Sequence, residues 1–362
     1  MNVLIMSKIF AKSGVGSHIM DLSETLKKRG NEVTIMSGTN DHTDFCKEKE
    51  IPFVHMSFSM QPIQFVKSTH NICKYLKEHN IEVVHCHHRT CAFYMNIISR
   101  VTGIPFVWSN HLDNIPSDFV HRVTTFYGKQ AICVSTDLKE FCTTKLRIPE
   151  EKISVVYNGI HPEYYQYDEA YDSGFRSKHN IGSKKVIGLF ARMAPIKGHP
   201  YLINAISRIP APKMENHAVV FFGGGGTEDE YVRSLKAQIH EKGLEQYFIF
   251  EGFVKPNQAL SLSDITVLPS EKEGFAICAI ESFQMKKLHI RTKTAGYSDM
   301  ADCCIGVEIG NEKALTEELE KYLDGFDYSA MIEHAFETTQ KKFTVDVMTD
   351  QIMAIYQRAI EG

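Results

Sequence analysis

Asn2-Val-Leu-Ile-Met6, followed by Val15, Ile19, Leu22 and Leu26 at helical spacing and then Gly30, decides the fold. A short apolar run with no polar alternation reads as a strand buried on both faces, and the spaced apolar positions read as an amphipathic helix closed by a glycine C-cap. The chain therefore opens as strand, loop, helix. The same rhythm continues with strands expected at 33–36, 53–55, 83–86, 105–109, 131–134 and 153–156, and helical patterns between most of them, for example 63–76 and 138–146. Residues 164–185 lack either period and read as an interdomain connection. Alternation restarts with strands at 186–190, 218–222, 248–250, 265–268 and 288–291, and helices near 199–207, 228–240 and 275–285. The expected class is α/β, two doubly wound Rossmann-like domains of parallel strands. Residues 1–165 form the first domain and 166–343 the second. The apolar positions Val345, Met348, Ile352, Ile355 and Ala359 make a C-terminal helix over 344–362 that is expected to cross back to the first.

A chain of 362 residues with 43% hydrophobic content suits two cores of this size. A formal net charge of −4 excludes a protein that coats nucleic acid. The nine cysteines have no Cys-x-x-Cys spacing and mostly sit in apolar runs, which fits reduced buried thiols in a cytoplasmic protein rather than a disulfide framework or a zinc site. No signal peptide and no transmembrane helix are expected.

In open parallel sheets, ligands meet the loops beyond the carboxyl ends of the strands, where helix N-termini present free N–H groups. One such loop is Lys12-Ser-Gly-Val-Gly16. Gly14 and Gly16 suit either a phosphate- or sugar-facing loop or a plain tight turn, and the pattern lacks the third glycine and later acidic residue of a dinucleotide fingerprint. Arg192 and Lys197 follow the first strand of the second domain and precede a helix, so they could clamp a diphosphate or stand as solvated surface charges. Gly223 to Gly226 is a further close-approach loop or a flexible turn. Glu273 and Glu281 bracket Gly-Phe-Ala-Ile-Cys-Ala-Ile after a buried strand and a Pro-Ser turn. The same spacing at Glu24/Glu32 and Glu312/Glu320 looks like solvated charge, so position distinguishes this pair, not spacing. His85, His87 and His88 end the fourth strand. His85 and His87 are expected on opposite faces, which together with the lack of a carboxylate or thiol companion at ligand-like spacing argues against a metal; His111, after the fifth strand, is the histidine placed to meet substrate.

Taken together, Gly-Val-Gly at 14–16, Val-Val-His-Cys-His at 83–87, His111, Tyr-Asn-Gly-Ile at 157–160, Arg-x4-Lys-Gly at 192–198, Pro-Ser at 269–270 and Glu-Gly-Phe-x5-Glu at 273–281 resemble the retaining, nucleotide-sugar-dependent glycosyltransferases of family 4, with the GT-B fold of two domains facing a central cleft. The likeness spans nearly the whole chain. It implies transfer of a hexose or N-acetylhexosamine from a UDP-sugar to a hydroxyl of a glycan or lipid-linked acceptor, in bacterial surface polysaccharide or lipopolysaccharide synthesis. Arg192 and Lys197 would neutralise the donor diphosphate, so no cofactor and no divalent metal are required. Glu281 would take the ribose hydroxyls and Glu273 the sugar hydroxyls, assisted by the amides of Phe275, Ala276 and Ile277. Gly16 would approach the phosphate and His111 the donor sugar. A leaving phosphate oxygen would serve as base, which displaces the acid/base carboxylate pair of glycoside hydrolysis as a reading of the two glutamates. Five positions depart from the family pattern: Ala276 and Ala295 stand where glycine is usual, Asp299 where Glu is usual, His161 where Asp is usual, and Leu112 where Asp often follows the site histidine, with Asp113 one later. Work at the inner membrane face is implied by analogy. Lys67, Lys74 and Lys77 are candidates for a basic patch there, though they equally suit a solvated helix face. A nucleotide-sugar epimerase and an inactive nucleotide-sugar-binding protein are the alternatives.

Overall fold

The structure is a computed structural model describing residues 1–224 and 229–362. The chain divides into two compact units, Met1–Ile160 with Lys342–Gly362, and His161–Lys341.

Among the described residues, the first unit carries seven strands: β1 Asn2–Ser7, β2 Glu32–Ser37, β3 Phe53–His55, β4 Val83–Cys86, β5 Phe106–Asn110, β6 Ala131–Cys133 and β7 Ile153–Val155. Their spatial order is β3-β2-β1-β4-β5-β6-β7, with every ladder parallel. Parallel neighbours require crossovers, and the apolar runs exist because helices cover both faces of the sheet. The C-terminal helix Val345–Glu361 belongs to this unit. Its Val345, Met348, Ile352, Ile355, Tyr356 and Ala359 share one core with Val3, Ile5, Ile19, Leu22 and Leu26. Arg29 fixes the helix's first turns by pairing with Asp346 at 2.8 Å and Asp350 at 2.5 Å.

The second unit carries β8 Lys185–Phe190, β9 His217–Gly224, β10 Phe248–Gly252, β11 Ile265–Leu268, β12 Leu288–Thr292 and β13 Ile305–Val307, ordered β10-β9-β8-β11-β12-β13 and again parallel. The period-two geometry of β9 splits its side chains between two cores. Val219 and Phe221 enter one, with Leu202, Ile203 and Leu235; Ala218, Val220 and Phe222 enter the other, with Phe175 and Leu262.

Two expectations need correction. Residues 164–185 are not an unstructured connection: they include the helix Glu169–Lys178, whose Phe175 is buried in the second core. The strand β13 was not expected at all, being three residues at a sheet edge.

Both sheets reverse direction next to their first strand, between β1 and β4 and between β8 and β11. Loops on either side of such a reversal diverge and leave a crevice at the carboxyl ends of the strands. These two places position the candidate site residues.

Candidate active site

In the second unit, the loop after β8 meets the loop after β11. Gly198 explains how closely. Its φ is +72°, a left-handed conformation that an L side chain rarely adopts, and a Cβ there would lie 1.9 Å from the carbonyl oxygen of Pro269. Glu271 N–H donates to the Ile196 carbonyl at 2.9 Å, and Tyr201 OH to Glu271 Oε1 at 2.7 Å. The contact brings together two residues 76 positions apart: Lys197 Nζ donates to Glu273 Oε1 at 2.7 Å. Glu273 is 8% exposed, and that ammonium gives its carboxylate a paired partner away from bulk water. Arg192, on the same loop, is exposed. Gly223, at the end of β9, lets its backbone pass the Ala191 carbonyl, from which a Cβ would be 2.4 Å away. Gly225 and Gly226 of that glycine run lie outside the described residues.

The helix that the sequence starts at 275 begins at Ile277 and ends at Gln284. Its N-cap is Ala276, at φ +66° and ψ 76°. For a residue with a Cβ this conformation costs about 1–2 kcal/mol, so the alanine occupies a glycine's backbone geometry. Phe275 precedes it, almost fully buried. Glu281 lies in the second turn, 7% exposed, and accepts from Tyr165 OH at 2.8 Å. Burial raises its carboxyl to about 7, and the tyrosine's hydrogen bond opposes part of that rise.

Sequence reasoning missed Arg291, a fully buried guanidinium at the end of β12. It donates from Nη1 to the Phe275 carbonyl at 3.1 Å, and from Nη2 to Thr294 Oγ1 at 3.0 Å and the Ala295 carbonyl at 3.1 Å. One cation thus ties the Glu273 loop to the loop after β12. Gly296, at φ +79°, presses on the same place, with a Cβ there 2.7 Å from Phe275 Cα. The available signal was a charged residue next to Leu288 and Ile290 in a short strand of a doubly covered sheet, which cannot be solvated there and must have internal partners.

In the first unit the helix Gly14–Lys28 follows β1, with Ser13 as N-cap: its Oγ accepts from Gly16 N–H at 3.2 Å. Gly14 is exposed at the helix start. Gly16 is buried, and a Cβ on it would lie 2.1 Å from the Ala11 carbonyl oxygen, so this glycine has a packing reason of its own. His87 and His111 follow β4 and β5, and His87 Nδ1 lies 3.0 Å from His111 Nε2. His85 and His87 do not face opposite ways. Residues two apart share a strand face, and their ring centroids are 4.1 Å apart. His85 spends both nitrogens inside the fold, Nδ1 with Tyr356 OH at 2.6 Å and Nε2 with Ser109 Oγ at 2.7 Å. Glu24 also departs from its expected solvated state, lying buried against Lys28 and Lys49, each at 3.0 Å.

Two α/β units of parallel strands, the second presenting a cation–carboxylate pair and a buried carboxylate at its sheet reversal, have the architecture of the GT-B glycosyltransferases. The chain belongs to the family 4 glycosyltransferases: residues 12–164 match the family described as Glycosyltransferase Family 4, and residues 173–338 match Glycosyl transferases group 1. It is 23% identical to an uncharacterized glycosyltransferase of Methanocaldococcus jannaschii, over 96% of this chain and 95% of that one. It is 26% identical to the UDP-Gal:alpha-D-GlcNAc-diphosphoundecaprenol alpha-1,3-galactosyltransferase of Escherichia coli, over 61% of this chain and 60% of that one. Among solved structures, Anabaena HepE in complex with UDP superposes with a TM-score of 0.86 at 18% identity, covering 99% of this chain and all of that one. Among the described residues, no helix is long and apolar enough to cross a membrane.

Proposed function

We propose that this glycosyltransferase moves a hexose or N-acetylhexosamine from a UDP-sugar to a hydroxyl of a glycan or lipid-linked acceptor, with retention of configuration. The observation that carries the reading is the placing of Lys197, Glu273 and Glu281 around the start of the helix Ile277–Gln284, at the reversal of the second sheet. Lys197 and Arg192 supply the positive charge for the diphosphate, and the amides of Phe275, Ala276 and Ile277 add the helix N-terminus to it. Charge on the leaving group is then met without a divalent metal. Glu273, already bonded to Lys197, accepts from donor sugar hydroxyls, and Glu281 accepts from the ribose hydroxyls. In the first unit the reading assigns Gly14 and Gly16 to the phosphate and His111 to the donor sugar. The UDP bound by the HepE relative and the UDP-galactose used by the E. coli relative support the choice of base. A cytoplasmic enzyme with peripheral contact at the inner membrane face is consistent with exposed Ile63 and Val66 beside Lys67 on the helix Pro62–Glu78.

A thermal-shift screen of UDP-, GDP- and ADP-sugars tests this directly, because a ligand that binds the folded state raises the melting temperature by mass action. Stabilisation by UDP-sugars, followed by transfer that survives a chelator and yields the donor's anomeric configuration, is the expected result. Stabilisation by GDP- or ADP-sugars alone, or by none of the three, refutes the assignment.

A further inference from the structure

Three imidazoles converge in the first unit: His18 from the first turns of the helix Gly14–Lys28, His87 after β4 and His111 after β5. Each offers a ring nitrogen within 4.8 Å of those of the other two. His18 and His87 are 2% and 4% exposed, and His111 is half-buried. His18 Nδ1 lies 2.8 Å from Asn158 Oδ1. An amide oxygen only accepts, so Nδ1 carries the proton and Nε2 keeps its lone pair. That Nε2 is enclosed without a hydrogen-bond partner, and so is Nε2 of His87. Each of these two enclosed ring nitrogens carries the desolvation cost of an unmade hydrogen bond. Burial explains why the rings tolerate one another. It pushes His18 down to about 4 and His87 and His111 well below their usual value, with mutual repulsion adding to the effect on the latter two, so all three are neutral near pH 7.

We propose that His18, His87 and His111 form a three-imidazole site for a divalent transition cation of the Zn2+ kind, with its fourth position open on the exposed side of His111. Neutral imidazoles favour Zn2+, Ni2+ or Cu2+ over Mg2+ or Ca2+. With Zn–N bonds of about 2.0–2.1 Å, a tetrahedral site sets its nitrogens about 3.4 Å apart. The 3.0 Å pair of His87 and His111 must open slightly, and the widest pair must close by about 1.4 Å at most, movements within reach of small ring rotations. The cation replaces the one hydrogen bond between His87 Nδ1 and His111 Nε2 with a bond to each, so of the two enclosed nitrogens it is Nε2 of His18 that gains a partner. Asn158, by holding the tautomer of His18, is the outer partner that metal-bound histidines characteristically have. Occupancy withdraws His111 from substrate, so Zn2+ inhibits transfer and a chelator restores it. This consequence, unlike the site itself, rests on the role given to His111 above.

The test uses the full chain after chelator treatment, titrated with Co2+ followed visibly and then with Zn2+ in competition. Expected are one equivalent bound, the visible bands of a tetrahedral cobalt site, and their loss to Zn2+. Asn158→Ala weakens binding about 10–100-fold, and His18→Gln and His87→Ala each weaken it at least as much, with metal-free melting temperatures checked in parallel. The near-isosteric His18→Gln keeps the comparison sound if His87→Ala does not fold. Absence of saturable binding at one equivalent, or unchanged affinity in a folded His18→Gln, overturns the proposal. Stoichiometric binding that leaves transfer uninhibited supports the site and removes His111 from the substrate.

Discussion

Replacing Glu281 by Gln should stabilise the ligand-free protein at alkaline pH and leave it unchanged in acid. The carboxyl stands at about 7 in the folded state against 4.5 when free of the fold. The folded chain therefore holds a proton that the unfolded chain has lost over that interval. Stability from this group is complete below about pH 4.5 and declines as pH rises through about 7. At 1.36 kcal/mol per unit, the ionised carboxylate costs roughly 3 kcal/mol at pH 8. The neutral amide introduced by Glu281→Gln escapes that cost while its oxygen still accepts from Tyr165. For a unit of this size, about 2–4 °C per kcal/mol gives the variant a melting temperature about 6–12 °C higher at pH 8 in the transition that contains the second unit. Melting curves of both proteins at pH 5, 6, 7 and 8, without nucleotide, provide the assay. Parallel pH profiles for the two would refute the reasoning. Nucleotide should reverse the preference, because ribose hydroxyls bond best to the ionised form: wild-type affinity should rise about tenfold from pH 6 to pH 8, and Glu281→Gln should bind weakly throughout.

Lys197→Met removes the cation beside a buried carboxylate, so it should cost about 1–3 kcal/mol of stability as well as transfer; Lys197→Met/Glu273→Gln should recover part of the stability and none of the activity, as melting and turnover will show. Gly198→Ala places a methyl against the Pro269 carbonyl at a positive φ and should destabilise by at least about 2 kcal/mol while lowering nucleotide affinity, measured by denaturant titration and calorimetry. Ala276→Gly should leave stability unchanged or raise it by up to about 1 kcal/mol, since relief of left-handed strain exceeds glycine's extra chain entropy. Ala276→Val should be clearly destabilising by the same measurement.

The sheets were legible in the sequence because strands buried on both faces must be continuous apolar runs, and eleven interstrand ladders leave little room for other residue types. The helix Glu169–Lys178 was illegible for the opposite reason: Phe175 is its one buried residue, so no period marks it. The unit boundary at Ile160 and His161 falls a few residues before position 165, where the sequence changes character. Lys197, Glu273 and Glu281 could be picked out singly, but the 76-residue gap closed by Lys197 and Glu273 depends on Gly198 packing against Pro269, which no local pattern reveals. The same holds for His18 and Asn158, 140 residues apart. His85 and His87 were misread despite a decisive local rule, the two-residue period of a strand.

The helix Val345–Glu361 also shapes how the protein is made. Synthesis proceeds from the N-terminus, yet Ile19, Leu22 and Leu26 find part of their cover only in a helix translated more than 300 residues later. The whole of His161–Lys341 is translated in between. At about 5–20 residues per second that takes about 10–40 s, long enough for the second unit to finish folding first. During that interval the nascent chain carries an uncovered apolar stripe on the helix Gly14–Lys28, a natural place for a chaperone to hold it.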